Sequence, residues 1–384
     1  MYNILTLNKI SKYGLEKLDS AKYVCSDSCD APDAIMVRSA VMHDMTLSEK
    51  TVAIARAGAG VNNIPVDACS QQGVVVFNTP GANANAVKEL VLCGLFLASR
   101  KVADAIDWCK TLKGEGDAVG KLVEKGKSAF AGPEIAGKTL GVVGLGAIGA
   151  LVANAAKALG MNIVGYDPFL SVAGALNLDP AVKVVSKLDE LFAVSDYISL
   201  HVPATPDTKG MINAASLAGM KDGVRIVNFA RGELVNSDDI VAALESGKAG
   251  AYVTDFPTDA QIGVKGVTAI PHLGASTPES EDNCAVMAAV ELADYLEKGI
   301  IKNSVNLPNL DLPASFAARV CIIHTADDAF AAKAVEAAAS AGCAVTNMAT
   351  AAKKGMGYTV VDVDKAVAAD AFAALDGAIR VRVI

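Results

Sequence analysis

The stretch LGVVGLGAIGALVANAAKALGMNIVGYDP, residues 140–168, decides the fold class. Eighteen residues between Lys138 and Lys157 carry no charge, which is about the length of a membrane-spanning helix. Three glycines argue against a span, because Gly144, Gly146 and Gly149 form G-x-G-x-x-G directly after a β-branched run. The order of residue types therefore predicts a strand, a tight turn and a helix.

A second strand-like run at residues 162–166 ends on Asp167, eighteen positions after Gly149. Glycines in such a turn allow the close approach of a pyrophosphate, the helix N-terminus favours its negative charge, and an acid at this distance binds ribose hydroxyls. The stretch thus predicts a dinucleotide site. A buried helix softened by glycine and a true membrane span are the alternatives.

Asp167 also selects between the two nicotinamide cofactors. NADP requires a cation near its 2′-phosphate, yet the following stretch PFLSVAGALNL contains no Lys or Arg. The carboxylate itself repels a phosphate group. We therefore expect NAD.

Composition narrows the class of protein. The chain has 384 residues, of which 52% are apolar and only 5% aromatic, so we expect a large aliphatic core of helices packed on parallel strands. The net charge of −8 disfavours nucleic acid as a partner. The eight cysteines form no C-x-x-C pair, and the first residues, MYNILTLNKI, lack the layout of a signal peptide. We predict a cytoplasmic protein with reduced thiols, no metal site and no membrane partner.

Repeated strand and helix patterns predict an α/β fold with a doubly wound parallel sheet. We expect a flavodoxin-like substrate-binding domain in residues 1–92 and 282–307, and an NAD-binding Rossmann domain in residues 93–281. The active site is expected in the cleft between these domains. Residues 308–314, PNLDLPA, predict a linker. Residues 315–384 show a βαββαβ pattern, which is typical of a small ferredoxin-like domain.

Hydride transfer to NAD requires a base for the hydroxyl proton of the substrate, and the chain has four histidines. His43 lies among polar residues, and His324 lies in the C-terminal segment. His201, in SLHVP, ends a strand of the nucleotide domain, where it either lines the cofactor or is structural. His272, in AIPHLGAST, follows an apolar strand in a turn-rich loop, and we favour it as the base.

A carboxylate substrate also requires a cation. Arg231, in NFARGELV, stands at the carboxyl end of a predicted strand and suits a bidentate clamp, the alternative being a surface ion pair with Glu233. Two acids, Asp255 and Asp259, follow the next strand in YVTDFPTDAQ. A carboxylate beside His272 orients its ring and favours its protonated form.

Six motifs together resemble the D-isomer-specific 2-hydroxyacid dehydrogenases over essentially the whole chain: RAGAGVNNIP, NTPGANANAVKEL, GLGAIG with Asp167, HVPATPDT, NFARGELV and IPHLGASTPES. The resemblance implies a catalytic Arg231, a catalytic His272 and an acid in the 255–259 region. By register Asp259 takes the position of the family's Glu. Asp255 then takes an apolar position beside Thr254, which replaces an Asp that contacts the cofactor.

The resemblance also implies which residues contact the two ligands. Those expected to bind the cofactor are Gly144, Gly146, Ala147, Ile148, Gly149, Asp167, His201, Val202, Pro203, Thr208, Phe229, Ala230, Arg231, Asp255, His272 and Gly274. Those expected to bind the substrate are Arg38, Ser39, Ala59, Gly60, Asn62, Lys127, Arg231 and His272. Arg38 and Lys127 match positions near a substrate phosphate, although Lys127 is equally well explained as a surface cation.

The implied reaction is the NAD-dependent oxidation of 3-phospho-D-glycerate to 3-phosphohydroxypyruvate, the first step of phosphorylated L-serine synthesis. Alternatives are another D-2-hydroxyacid dehydrogenase, acting on glyoxylate, hydroxypyruvate or D-lactate, and a non-enzymatic NAD-sensing protein of the same fold. The C-terminal segment resembles an ACT domain, which binds serine in relatives. Its first loop, HTADDAFAA, lacks the Pro and Gly of those relatives, so we expect a role in assembly of a homodimer or homotetramer.

Overall fold

The computed structural model describes residues 1–313 and 316–384. The last position of the predicted linker and the first position of the predicted C-terminal domain lie outside the described residues. The chain divides into two compact units, one formed by Met1–Asn83 with Pro278–Ile384 and the other by Ala84–Thr277. The exact domain boundaries drawn from the sequence stay a prediction.

The first unit begins with a five-stranded sheet. Its strands and helices are β1 (Tyr2–Leu7), α1 (Lys12–Leu15), β2 (Tyr23–Ser26), β3 (Ala34–Val37), β4 (Ala53–Arg56), α2 (Val66–Gln71) and β5 (Val75–Phe77). All pairs are parallel and the spatial order is β2-β1-β3-β4-β5. This is the strand order of flavodoxin-like sheets, as predicted.

The second unit is built on a seven-stranded parallel sheet. Its helices are α3 (Ala84–Arg100), α4 (Val102–Lys110), α5 (Val119–Gly126), α6 (Ala147–Ala158), α7 (Val172–Leu176), α8 (Leu188–Val194), α9 (Ala214–Ala218) and α10 (Ser237–Glu245). Its strands are β6 (Thr139–Val143), β7 (Asn162–Tyr166), β8 (Lys183–Val184), β9 (Tyr197–Leu200), β10 (Val224–Asn228), β11 (Ala249–Thr254) and β12 (Val267–Ala269). Short 3₁₀ turns occupy Gly116–Ala118, Lys127–Phe130 and Gly232–Leu234.

The strand order of this second sheet is β12-β11-β10-β9-β6-β7-β8. The chain therefore runs from β6 through β7 to β8 at one edge of the sheet. It then crosses back to β9, on the other side of β6, and continues to β12 at the opposite edge. In such Rossmann sheets ligands bind at the carboxyl ends of the strands where the order reverses. The predicted doubly wound α/β class is confirmed.

The chain returns to the first unit through α11 (Pro278–Lys298) and then forms β13 (Ala318–Thr325), α12 (Phe330–Ser340), β14 (Val345–Lys353), β15 (Met356–Val363), α13 (Asp370–Ala373) and β16 (Ala378–Val383). These last four strands form an antiparallel sheet in the order β14-β15-β13-β16. The predicted βαββαβ pattern and the small ferredoxin-like sheet are thus present.

The C-terminal sheet is fixed to the end of α11 by polar side chains. Arg319 forms a buried ion pair with Asp362 and also donates to the carbonyl oxygen of Lys298 at 2.6 Å. Tyr358 donates to the carbonyl of Gly299 at 2.7 Å, and Arg382 donates to that of Leu296 at 3.0 Å. Carbonyl groups at a helix C-terminus lack partners within the helix, so these donors satisfy them. The C-terminal sheet is therefore an integral part of the first unit.

The apolar segment at residues 140–168 is divided among β6, α6 and β7. Within residues 1–313 and 316–384, no helix is both long enough and apolar enough to cross a bilayer.

Candidate active site

The three glycines of the fingerprint lie between β6 and α6, and each has a distinct geometric reason. Gly144 has a φ of +89°, and a Cβ there would lie 2.6 Å from the carbonyl oxygen of His201. A Cβ on Gly149 would lie 1.9 Å from the carbonyl oxygen of Gly144, so the helix can approach the turn only with glycine. Gly146 is the N-cap of α6 and faces open space, which leaves room for a ligand at the helix N-terminus.

Asp167 is held against this loop. Its Oδ2 accepts the backbone N–H of Leu145 at 2.9 Å, and its Oδ1 accepts that of Phe169 at 2.8 Å. A carboxylate has about four lone-pair sites, so both oxygens can still accept ribose hydroxyls. The predicted residue therefore stands beside the glycine loop in a fixed orientation.

The strand next to β6 contributes His201. Burial lowers the pKa of His201 to about 4, so this imidazole is neutral near pH 7. Its Nε2 lies 2.8 Å from the hydroxyl of Ser199. In the following segment, Thr208 donates to the carbonyl oxygen of Pro203 at 2.5 Å and holds the loop closed. A half-buried, neutral His suits a wall of the cofactor site better than a proton-transfer role.

Arg231 follows β10 and is exposed. Buried Asn228 shapes its loop, because the Asn228 side chain donates to the carbonyl of Arg231 at 2.8 Å and accepts the N–H of Ala230 at 3.2 Å. Sequence reasoning missed Asn228, although its place at the start of the motif NFARGELV was a usable signal.

The loops after β10, β11 and β12 converge around His272. A Cβ on Gly232 would lie 3.2 Å from Cβ of Phe256, and the Phe256 ring lies 4.5 Å from the His272 ring, centroid to centroid. Asp255, only 2% exposed, accepts the backbone N–H of Gly274 at 3.2 Å. Burial raises the pKa of Asp255, and the nearby His272 partly opposes that rise.

The two candidate acids lie in different environments. By register Asp259 is expected beside His272, and both side chains are exposed, Asp259 in the turn after β11. No hydrogen bond or ion pair of Asp259 occurs among the residues that the structure describes. Asp255 follows β11 directly and therefore points to the carboxyl edge of the sheet, where the His272 loop passes. Its Oδ1 is buried and has no hydrogen-bond partner among the described residues.

In the first unit, the residues predicted to meet the substrate lie in loops after β3 and β4. Arg38 is half-buried, and its guanidinium donates to the Glu281 carboxylate at 2.5 Å. The backbone N–H groups of Ser39 and Ala40 both donate to the side chain of Asn8. Arg38 is therefore not a free cation. Glu281 was missed because it lies 243 positions away in the sequence.

The remaining residues predicted to bind the substrate lie in the loop after β4 and at Lys127. The carbonyl oxygen of Ala59, which precedes Gly60, accepts from Asn78 at 2.6 Å, and the carbonyl of Asn62 lies 2.9 Å from Nε2 of His43. Lys127 lies in the second unit, is exposed and pairs with Glu124. Its geometry is that of a surface cation.

Comparison with known proteins identifies the class. Residues 93–274 match the family model of the D-isomer specific 2-hydroxyacid dehydrogenase, NAD binding domain. This match covers the glycine loop, the Arg231 loop and the His272 loop. The segment is therefore an NAD-binding domain of the D-isomer-specific 2-hydroxyacid dehydrogenase family.

Individual relatives carry more specific names. A D-3-phosphoglycerate dehydrogenase of Synechocystis sp. is 38% identical over 291 residues, which are 72% of this chain and 49% of the relative. The chain thus spans about half the length of this relative. A structure of cofactor (NAD+)-bound 3-phosphoglycerate dehydrogenase from Entamoeba histolytica has a TM-score of 0.61 and 28% identity, covering 80% of this chain and 99% of that one. A glyoxylate reductase structure from Paecilomyes thermophila has a TM-score of 0.64 and 28% identity, covering 79% and 98%.

The residues of the second unit fit NAD. Gly146 leaves open space at the N-terminus of α6, where the backbone N–H groups can hold a pyrophosphate. Asp167 offers a fixed carboxylate for the ribose, and PFLSVAGALNL after it provides no cation for a 2′-phosphate.

Proposed function

We propose that this protein is an NAD-dependent D-2-hydroxyacid dehydrogenase that oxidises 3-phospho-D-glycerate to 3-phosphohydroxypyruvate. The observation that carries the proposal is that the loops bearing Arg231, Asp255 and His272 follow neighbouring parallel strands and lie against one another through Gly232, Phe256 and Gly274. This edge of a Rossmann sheet is where a nicotinamide cofactor is held. The family model supports the D-2-hydroxyacid dehydrogenase class, and the name of the Synechocystis relative supports the particular substrate.

Each side chain has one task in the proposed mechanism. His272 accepts the proton of the C2 hydroxyl group as the carbonyl forms. Arg231 holds the substrate carboxylate and stabilises the negative charge that develops on the C2 oxygen. NAD, when bound, supplies the acceptor for the hydride that leaves C2.

We assign the orienting acid to Asp255. A carboxylate next to an imidazole favours the protonated ring that forms when the base accepts a proton. The support is geometric, since the Asp255 side chain accepts the backbone N–H of Gly274, two residues beyond His272. Asp259 remains the candidate from the sequence register, and comparing the two Asn variants decides between them.

A substrate phosphate at Arg38 would meet a cation that is already paired. Arg38 suits a phosphate, but Glu281 already neutralises it, so a phosphate must compete with that carboxylate. An unphosphorylated 2-hydroxy acid does not face this competition, and a relative named glyoxylate reductase shares the fold. We therefore keep the unphosphorylated substrate as the second candidate.

A substrate panel tests the proposal. Purified protein and NAD are mixed with 3-phospho-D-glycerate, D-glycerate, D-lactate and glycolate, and NADH is followed by absorbance. In reverse, NADH is mixed with 3-phosphohydroxypyruvate, hydroxypyruvate and glyoxylate. We expect the highest kcat/KM for the phosphorylated pair. A higher value for any unphosphorylated acid identifies the second candidate, and no turnover with any acid favours the NAD-sensing protein.

We further propose a cytoplasmic homo-oligomer. All eight cysteines are free thiols, which supports a reducing compartment. A role in serine synthesis follows only from the proposed substrate. The oligomeric state of the protein stays a prediction.

A further inference from the structure

The first unit contains a cavity of about 590 Å³. A stripe of α11 forms one wall, and the other walls come from the loop after β5 and from the segment after α11. The apolar lining residues are Ala82, Val286, Met287, Val290 and Ile300. This volume suits a small organic molecule, since ligand pockets commonly measure about 300–1,000 Å³.

One acidic side chain in this lining is unexpectedly buried. Glu291 is 6% exposed, and its Oε1 accepts from the side chain of Asn303 at 2.8 Å. Its Oε2 is buried and has no hydrogen-bond partner within residues 1–313 and 316–384. A buried carboxyl oxygen without a partner is costly, so natural proteins retain one mainly where something else satisfies it.

The other charges around the cavity are already balanced. Asp294 pairs with Lys298 at 2.7 Å, and Lys302 pairs with Asp311 at 2.7 Å. Asn283 and Asn303 contribute neutral amides. Glu291 is therefore the one carboxyl group of the described lining that lacks a charged partner.

We propose that this cavity binds a small monocation with an apolar body, in which a primary ammonium group pairs with Glu291. The apolar wall takes the hydrocarbon part, and the ammonium supplies the donor that Oε2 lacks. Once it is ionised, Glu291 repels a carboxylate ligand, and a dication finds no second free acid in the described lining. The inference is independent of the dehydrogenase activity, because neither Arg231 nor His272 belongs to this unit.

Proton linkage gives the proposal a specific signature. Burial raises the pKa of Glu291 to about 8, so the empty cavity holds a neutral carboxyl group at pH 7. An ammonium ion requires the carboxylate, so binding at pH 7 releases about one proton. Affinity should therefore rise by up to about tenfold per unit between pH 6 and pH 8. A neutral ligand has no such dependence.

The test uses pentylamine as the probe and pentan-1-ol as its neutral counterpart. Isothermal titration of the full chain at pH 7, in two buffers of different ionisation enthalpy, measures both affinity and proton release. We expect pentylammonium to bind at least tenfold more tightly than pentan-1-ol, with release of close to one proton. Absence of proton release, or equal binding of the two probes, overturns the proposal.

Two variants complete the test. Glu291→Gln keeps the shape of the side chain but cannot carry a charge, so pentylammonium binding should weaken at least tenfold and lose its pH dependence. Glu336→Gln alters an exposed acid of α12 and should change nothing. If Glu291→Gln does not fold, the comparison of the two probes and the pH series on the unmodified chain still test the proposal. Equal binding to the unmodified chain and to Glu291→Gln shows that Glu291 is only structural.

Discussion

The side chain of Asp255 accepts the backbone N–H of Gly274 at 3.2 Å and thereby joins the loop after β11 to the loop that carries His272. The bond is buried, and the second oxygen of Asp255 remains without a partner among the described residues. An unsatisfied carboxylate oxygen beside the proposed base is suited to accept a proton-bearing ring nitrogen or a cofactor amide.

The first prediction separates the two acids. Asp255→Asn should lower kcat and shift the pH profile of the oxidation toward lower pH, because a neutral amide no longer favours the protonated imidazole. Asp259→Asn is the matched comparison and should leave kcat and the pH profile nearly unchanged, since no hydrogen bond or ion pair joins Asp259 to the described residues. The pH dependence of kcat is measured for both variants. A shift with Asp259→Asn alone would return the role to Asp259.

The second prediction concerns the cofactor. Because Asp167 is fixed beside the glycine loop, NAD should give a much higher kcat/KM than NADP. Asp167→Ala should narrow this gap because it weakens the binding of NAD. The measurement is the ratio of kcat/KM for NAD to kcat/KM for NADP. Equal values for both cofactors in the unmodified protein would refute the assignment.

The third prediction tests the ion pair of Arg38. Glu281→Gln removes the competing carboxylate and should lower KM for 3-phospho-D-glycerate by about two- to fivefold, the range expected for an exposed pair. Glu279→Gln, on an exposed neighbouring position of α11, is the control. An unchanged KM for the phosphorylated acid would mean that Arg38 does not contact the phosphate.

The fourth prediction concerns regulation. The loop after β13 contains Asp327, which accepts the N–H of Ala329 at 2.9 Å and pairs with Lys333. This loop lacks the Pro and Gly of serine-binding relatives, so millimolar L-serine should leave the rate nearly unchanged. The assay uses the full chain. Removing the C-terminal sheet would break the buried ion pair between Arg319 and Asp362, so a lost rate could then reflect misfolding. Strong inhibition by L-serine contradicts the prediction.

The sequence predicts the fold well where a local pattern carries it. Gly144, Gly146 and Gly149 predict the β6-α6 turn, and at Gly144 and Gly149 only a residue without Cβ fits the observed contacts. The alternation of strand and helix after residue 315 likewise predicts the ferredoxin-like sheet. In both regions the information is contained in neighbouring residues.

The parts that were missed depend on contacts between distant positions. Glu281 meets Arg38 only because α11 returns to the first sheet, and no local spacing indicates that approach. The choice between Asp255 and Asp259 depends on which of the two faces Gly274 after the strand ends. The assignment of the acid therefore stays a prediction that the two Asn variants test.

The central claim is that His272 is the base of an NAD-dependent oxidation. The most direct measurement is the rate of NADH formation from NAD and 3-phospho-D-glycerate, together with the dissociation constant of NAD, in the unmodified protein and in His272→Ala. We predict that kcat falls by roughly a hundred- to ten-thousandfold while the dissociation constant changes little. A variant that retains most of the rate, or an unmodified protein that forms no NADH, would contradict the account.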